Sequence, residues 1–538
     1  MEHLEHRQKV TIMIAIMAAM LFAALNQTIV GTALPVIVAD IGGVDYFSWV
    51  FTIYMLTTSL TAILVGKLSD TYGRKPFILV GIGVFIVGAL LCGTSVNIYQ
   101  LIIYRGIQGF GGGMIMSTAF TAIGDLFPPR ERGRWQGLMA SVFGLSSVFG
   151  PTLGGYIVDT FKWNWVFWVF LPFGIVAFIM IYKMFPNIKS DEKTTVDYLG
   201  AIILASTITP LLLAFSWAGE TYAWDSAVII GLFSWSVVAL SVFVYVEQRA
   251  KNPVIPLHLF KNSIFTISNV SGLLMGMGMF GAIMYMPFFI QGVMGISATK
   301  SGFVMMSMML SMVITSTVGG QLITKTGRYK VFAIAGLLIM GIGMFSMSQM
   351  NVDTTLIGAV RNLMIVGLGL GLSFPVLTLT VQNAVDYKYL GVATSASQFF
   401  RQAGGTIGVS IMGAIMNRIM TNEMQSLSIS SGQTSQLDTV KAIEDPQVLM
   451  DPDKINQIKE TVPNEMLPVF NQVIDKVQIV LSTALGGSFL FGTFVLGVAL
   501  VLILFLKEIP LRMTNKTDEE SANENTHEGN VQESEATV

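Results

Sequence analysis

The chain has 538 residues, of which 53% are hydrophobic and only 12% charged, with a mean hydropathy of +0.66 and a formal net charge of −2. Soluble domains carry about 25% charged residues, so this is the composition of a polytopic membrane protein, and its near-neutral balance argues against a nucleic-acid partner. A single cysteine, Cys92, and four histidines, three of them in the terminal tails, exclude disulfides and thiolate metal sites. No cofactor and no metal site are expected.

The first segment, MEHLEHRQKV, leads into an apolar run of about 25 residues, well beyond the roughly 7 to 15 of a signal-peptide core, and reads as a retained transmembrane helix. A bilayer core about 30 Å thick takes roughly 20 apolar residues of helix. Windows of that length fall at 10–34, 46–68, 77–95, 99–124, 135–157, 164–185, 198–217, 227–246, 265–290, 301–322, 331–350, 357–381, 391–416 and 478–506. These fourteen runs are continuous rather than alternating, which favours helices over a β-barrel.

An even number of spans puts both termini on one side. The loops of that side carry Arg74, Lys75, Arg130, Arg132, Arg134, Lys325, Arg328 and Lys330 among others, whereas the short loops opposite carry only Lys162 and Lys300. The positive-inside rule therefore places both termini in the cytoplasm. Residues 417–477 form a long polar external loop broken by Pro446, Pro452, Pro463 and Pro468. Residues 513–538 form an acidic tail without apolar periodicity, expected to be disordered.

Two cytoplasmic loops repeat one another. In GKLSDTYGRKPF (66–77) and GQLITKTGRYKVF (320–332), Gly66, Leu68, Gly73 and Arg74 match Gly320, Leu322, Gly327 and Arg328 at a constant offset of 254 residues. The second unit thus begins eight helices after the first. This divides the chain into a six-helix bundle (1–190), two inserted helices (191–260), a second six-helix bundle (261–512) and the tail. Repeated bundles with a site at the repeat interface are a transporter architecture.

Here the sequence resembles the major facilitator superfamily. GKLSDTYGRK is similar to that family's signature loop between helices 2 and 3, YRGIQGFGGG (104–113) to its helix 4 arginine motif, and FGLSSVFGPTLGG (143–155) to the helix 5 glycine–proline motif of its antiporters. With fourteen helices and WNWVFWVFLPFG at 163–174, the chain resembles the fourteen-helix drug:proton antiporters of EmrB/QacA type. The resemblance implies an all-α integral membrane fold, in a bacterial cell membrane, acting as a monomer.

The motifs carry physical expectations. Gly66 and Gly73 permit close helix approach and a tight turn. Asp70 can pair with Arg74 or accept from a helix N-terminus, a cluster able to latch one face of the bundle. The second copy has Thr324 at the position of Asp70, so its latch should be weaker. Gly150 and Gly154 give a small-residue packing face, and Pro151 kinks the fifth helix, as a fixed bend or as a hinge. GMGMFG (276–281) matches a dinucleotide fingerprint in form only, because no strand precedes it. Residues 275–312 hold eleven of the 33 methionines, which suit either a lipid-facing surface or an adaptable cavity.

No Asp or Glu lies in the core of any span; Asp40, Asp125, Asp159, Glu247 and Asp386 fall at or beyond span ends. Three arginines do lie within spans. Arg361 is shallow enough to snorkel. Arg401 lies roughly 15 Å from the inner surface and Arg105 roughly 9 Å from the outer one, at 1.5 Å per residue. A central arginine costs on the order of 3 kcal/mol, which makes Arg105 and Arg401 functional candidates. Their available partners are carbonyls, Gln108, Gln402 and the amide pair Asn26–Gln27. The family usually has an aspartate at the position of Asn26, a candidate proton and cation site there; an amide does not titrate.

The sequence therefore reads as a secondary active exporter of small amphipathic molecules working by alternating access, with protons as candidate coupling ion, rather than an enzyme. The alternatives are a potential-driven exporter or facilitator of anionic or zwitterionic molecules, and a non-transporting membrane sensor. Asp70, Arg74, Gly66, Gly73, Arg105, Gln108, Gly150, Pro151 and Asp125 are the candidate transport and gating residues. Asn26, Gln27, Tyr54, Arg401 and Gln402 are the candidate cavity residues.

Overall fold

Helix starts follow the local sequence: Asn97, Asp197, Ser226, Asn262 and Thr355 each accept from a backbone N–H two or three residues on, satisfying donors that a helix N-terminus leaves free. The computed structural model describes residues 5–42, 46–186, 197–219, 221–296, 298–430 and 467–511. Among them the helices are α1 (His6–Ile41), α2 (Phe47–Tyr72), α3 (Arg74–Cys92), α4 (Ile98–Leu126), α5 (Pro129–Thr160), α6 (Trp165–Trp168), α7 (Leu171–Met184), α8 (Tyr198–Trp217), α9 (Ala227–Glu247), α10 (Ser263–Phe288), α11 (Ala298–Thr326), α12 (Lys330–Ser348), α13 (Leu356–Asn383), α14 (Leu390–Ser430) and α15 (Leu467–Leu504). No strand forms among the described residues beyond one isolated bridge, Ala218–Tyr222.

Every expected span falls on helix, with three differences. The sixth is broken into α6 and α7, because Pro172 supplies no N–H and fits only the first turn of a new helix. Residues 417–430 and 467–477, expected to be loop, instead prolong α14 and begin α15; Pro468 sits in the first turn of α15, where its missing donor costs nothing. The rest of that loop, 431–466, and the tail, 513–538, lie outside the described residues. Finally, twelve rather than fourteen helical stretches among the described residues are long and apolar enough to cross a membrane. The two left out, α4 and α14, have the length but carry Arg105, Gln108 and Asp125, or Arg401 and Gln402, and run largely inside the bundle.

Two sets of helices pack internally: α1 on α5 and α7, α4 on α2 and α3; then α13 on α11 and α12, α14 and α15 on α10. The sets meet along α2–α14 and α5–α11. The repeat is visible in both seams. A Cβ on Gly66 would lie 2.9 Å from the Gly391 carbonyl oxygen, and one on Gly320 would lie 2.7 Å from the Gly133 carbonyl carbon. The turns that follow also match, with Gly73 at φ 88° and Gly327 at φ 69°, a region glycine enters without strain. α8 and α9 pair with each other, and α8 leans on both α2 and α14. They are peripheral: 22% of the most apolar stretch of α9 is buried, against 78% for α13. Ile202, Trp235, Val237 and Val238 stand exposed on them, an apolar surface that suits lipid.

Candidate functional site

The turn at Gly73 folds the start of α3 back so that Arg74 pairs with Asp70, one helical turn earlier. Arg74 Nε also donates to Asp125 Oδ2 at 2.8 Å, and Nη1 to Ser69 Oγ at 2.7 Å, so one buried guanidinium sits between two buried carboxylates. Asp70 reaches across to the other set of helices. Its two oxygens accept the N–H groups of Gly391 and Val392, each at 3.0 Å. These are orphan donors of the first turn of α14, where the helix dipole also favours a negative charge. Asp125 Oδ1 accepts from the Tyr387 hydroxyl at 2.9 Å, in the α13–α14 connection. Burial, and then the neighbouring Asp125 charge, push the Tyr387 phenol up, so it remains a donor.

Further bonds join the two sets at the same end. Ser117 and Ser395 hydroxyls lie 2.7 Å apart, Gln136 Nε2 donates to Gln382 Oε1 at 3.2 Å, and Arg130 Nε donates to the Thr324 carbonyl at 2.8 Å. In the second copy of the loop, Thr324 bonds only its own helix through its hydroxyl. Glu508 caps α12 there instead, accepting from Tyr329 and Lys330 N–H at 2.9 and 3.1 Å.

A second polar cluster lies inside the first set of helices. Arg105 Nη1 donates to Gln108 Oε1 at 2.7 Å, one turn along α4, and reaches Asn26 Oδ1 at 3.4 Å. Gln108 Nε2 donates to the same Asn26 oxygen at 2.9 Å. The guanidinium carbon stands 4.2 Å from the centroid of the Tyr54 ring, a cation–π geometry. Arg105, Gln108 and Asn26 are all fully buried, and no described carboxylate pairs with the cation. Arg105 Nη2 and Asn26 Nδ2 have no hydrogen-bond partner among the described residues. Amide dipoles and a π face are thus what hold this charge.

A cavity of about 470 Å³ opens between α2, α8, α10 and α14. Phe51, Met55, Leu212, Phe215, Phe280 and Phe288 are among its apolar lining, with Thr52, Ser59, Ser216, Gln402, Thr406 and Asn417 among its polar points and no charged side chain. Thr52 and Ser216 hydroxyls lie 3.1 Å apart across α2 and α8, and Ser410 of α14 donates to the Phe215 carbonyl, so α8 is tied over its side. The lining of α2 runs from residue 51 to 59, roughly 16 to 28 Å of helix away from Asp70. The cavity and the Arg74 cluster therefore occupy opposite ends of the bundle.

A model of the Major Facilitator Superfamily matches residues 16–409. The chain belongs to that superfamily. The multidrug transporter MdtP of Bacillus subtilis (strain 168) is 39% identical over 519 residues, 93% of each chain. Multidrug resistance protein 3 of the same organism is 35% identical over 503 residues, 94% of this chain and 96% of that one. Among solved structures, the human organic anion transporter MFSD10 (TETRAN) shares the fold, with a TM-score of 0.58 at 15% identity over 91% of this chain and 99% of that one. The proton:xylose symporter XylE does so with a TM-score of 0.57 at 12% identity over 95% and 98%. This superfamily chain is a multi-span membrane transporter.

Of the residues singled out in the sequence, Gly66, Asp70, Gly73, Arg74 and Asp125 converge at one end of the bundle, and Asn26, Tyr54, Arg105 and Gln108 form one buried cluster. The expected cavity set divides. Gln402 lines the cavity, and both it and Gln27 donate to Met55 Sδ, at 3.5 and 3.6 Å. Asn26 and Tyr54 turn instead toward Arg105. Arg401 is drawn toward α13, its guanidinium carbon 4.0 Å from the Phe374 ring centroid and Nη1 3.4 Å from Thr378 Oγ1. Gly150 packs against α1, where a Cβ would lie 2.6 Å from Thr28 Cβ. Pro151 lies within α5, but its side chain is outside the described residues. The methionines of 275–312 are mostly buried between helices, Met284 being the one that lines the cavity. The expectation that Asp70 pairs with Arg74 or accepts from a helix N-terminus is met on both counts, the helix being α14. Met55 and Tyr387 carry no signal in the sequence.

Proposed function

We propose that the protein is a secondary active exporter of small amphipathic molecules, working by alternating access in a bacterial cell membrane and driven by protons. One observation carries the reading. The two sets of helices are latched together at the end of the basic loops, while an apolar, uncharged cavity lies at the other end. That is the arrangement of an outward-facing state, closed to the cytoplasm. The names of the Bacillus relatives support drug efflux as the direction and the cargo class. The cavity wall favours neutral amphiphiles, which need apolar surface and a few hydrogen bonds.

A second reading, export of anionic or zwitterionic molecules, is favoured by Arg105, a buried cation that no described carboxylate neutralises. Efflux from cells expressing the protein, with neutral, anionic and cationic amphiphiles and with or without a protonophore, tests both. Export of neutral compounds that collapses with the protonophore is expected. Preference for quaternary cations would overturn the cavity argument, and export untouched by the protonophore would overturn proton drive.

A further inference from the structure

One pair of carboxylates takes no part in the latch. Asp197 caps α8, its Oδ1 accepting from Gly200 N–H at 2.8 Å. Glu247 ends α9 and is 3% exposed; its Oε1 accepts from Ile255 N–H at 2.6 Å. The other two oxygens, Asp197 Oδ2 and Glu247 Oε2, are buried and have no hydrogen-bond partner among the described residues. They converge on Gly200, where a Cβ would lie 2.5 Å from the first and 2.8 Å from the second. Two bare carboxylate oxygens packed against the same glycine without a donor are unfavourable when both are ionised. One proton shared between them meets the need of both. A metal ion would require more oxygen ligands than the two that converge here.

We propose that Asp197 and Glu247 form a proton-binding site at the foot of the inserted helix pair, and that its occupancy biases the latch between α2 and α14. The groups facing Glu247 are Asp197 from α8, Lys67 from α2, and the backbone N–H groups of Val254 and Ile255 from the connecting segment. Lys67 lies one turn before Asp70 on the same helix, with its carbonyl accepting from Thr71 Oγ1 at 3.3 Å. Doubly ionised, the pair draws Lys67 and the end of α2 toward the inserted helices. With a proton bound, that pull is halved. The packing transmits the change in both directions: Ile63 of α2, Leu204 and Ile208 of α8, Phe243 of α9, Val254 and Ala403 of α14 form one buried apolar cluster. The site thus sits on a unit that touches both latch helices. The proposal rests on the exporter reading for its purpose, but its test does not.

The test places spin labels on cysteines introduced at exposed Tyr72 and Lys388, on either side of the latch, in the full-length protein in lipid nanodiscs. Cys92, the only native cysteine, is buried and leaves the labels unique. Inter-label distances are recorded from about pH 5 to pH 8. The expected result is a latched fraction that changes at least about threefold with pH in the parent, and by less than half as much in Glu247→Gln and in Asp197→Asn. Both amides keep an acceptor for the N–H that each residue binds, so fold and cap survive, and a thermal melt of each variant checks this. A pH response unchanged in either folded variant, or no response in the parent, overturns the site. Export assays run on the same proteins judge the exporter reading separately: a parent that exports nothing sinks that reading and leaves the distance result to decide this one.

Discussion

Asp70→Asn is the substitution that should most directly unlatch the two sets of helices. The carboxylate accepts two N–H groups of α14 at 3.0 Å each and pairs with Arg74. An amide has one oxygen, so one N–H keeps an acceptor and the other meets a donor. Hydrogen bonds to a charged group contribute about 1.5–3 kcal/mol each. Arg74 keeps its Asp125 partner at 2.8 Å, so it is not left as an unpaired buried charge. The net loss from the latched state is then about 2–4 kcal/mol, or roughly a 30- to 1000-fold shift toward the unlatched form. The assay is disulfide trapping in membranes between cysteines placed at Tyr72 and Lys388, with the buried Cys92 as internal control. Trapping should fall steeply in Asp70→Asn and be intermediate in Asp70→Glu, which keeps the charge but not the reach. Export should fall with it, since a latch that cannot close leaves only one face accessible. Trapping within about twofold of the parent would refute the reasoning and leave the seam to its other contacts, among them Ser117–Ser395 and Gln136–Gln382.

The seam on the other side gives a matched test: Gly320→Leu drives a side chain into the Gly133 carbonyl carbon, 2.7 Å from the new Cβ, and should abolish export while leaving span insertion intact, as read by membrane yield and transport assay. Cysteines at Thr52 and Ser216, whose hydroxyls lie 3.1 Å apart, should oxidise together and pin α8 over the cavity, stopping export until a reductant is added. Asn26→Asp should place a carboxylate 3.4 Å from Arg105 Nη1. Coulomb attraction of about 5 kcal/mol at an effective dielectric constant near 20 is largely offset by desolvation, leaving a net gain of about 1–2 kcal/mol. It should appear as a higher melting temperature and as new uptake of cationic dyes by inverted vesicles; a lower melting temperature would mean that Arg105 is already compensated.

Helix existence and the repeat were legible because both rest on composition that the bilayer imposes over long stretches: apolar runs, basic loops, paired glycines. A count by apolar content passes over α4 and α14 for the same reason that those helices matter. Each turns a buried face into the bundle that can carry Arg105, Gln108 and Asp125, or Arg401 and Gln402, and average hydropathy reads that cargo as polarity. The break at Pro172 was visible as a residue but not as a break, since a membrane helix can also run on through a proline, as α8 does through Pro210. What sequence could not supply was direction across the bundle. Asn26 and Gln27 are neighbours in the chain, yet one turns into the Arg105 cluster and the other to Met55 at the cavity, because successive helix positions point about 100° apart. Likewise a helix N-terminus was a legible partner for Asp70, but not that the helix would be α14, with its N–H groups more than three hundred residues away.

These placements bear on how a cargo at one end could act on a latch at the other. α2 carries cavity residues from Phe51 to Ser59, the close approach at Gly66, and the latch at Asp70, in that order. α14 carries the same three in reverse: Gly391 and Val392 at the latch, Ser395 against Gly66, and Gln402 onward at the cavity. Gly66 is therefore a fulcrum, with roughly 6 Å of helix on the latch side and roughly 10 to 22 Å on the cavity side. A molecule that spreads the two helices at the cavity works on the long arm, and the packed backbone at Gly66 turns that spread into closure at Asp70. Loss of the cargo lets the short arm relax. On the exporter reading this favours the latched state while cargo occupies the outward cavity, and a bulky residue at position 66 should be harmful twice over, forcing the two helices apart at their close approach and displacing Gly391, which donates to Asp70 in the latch.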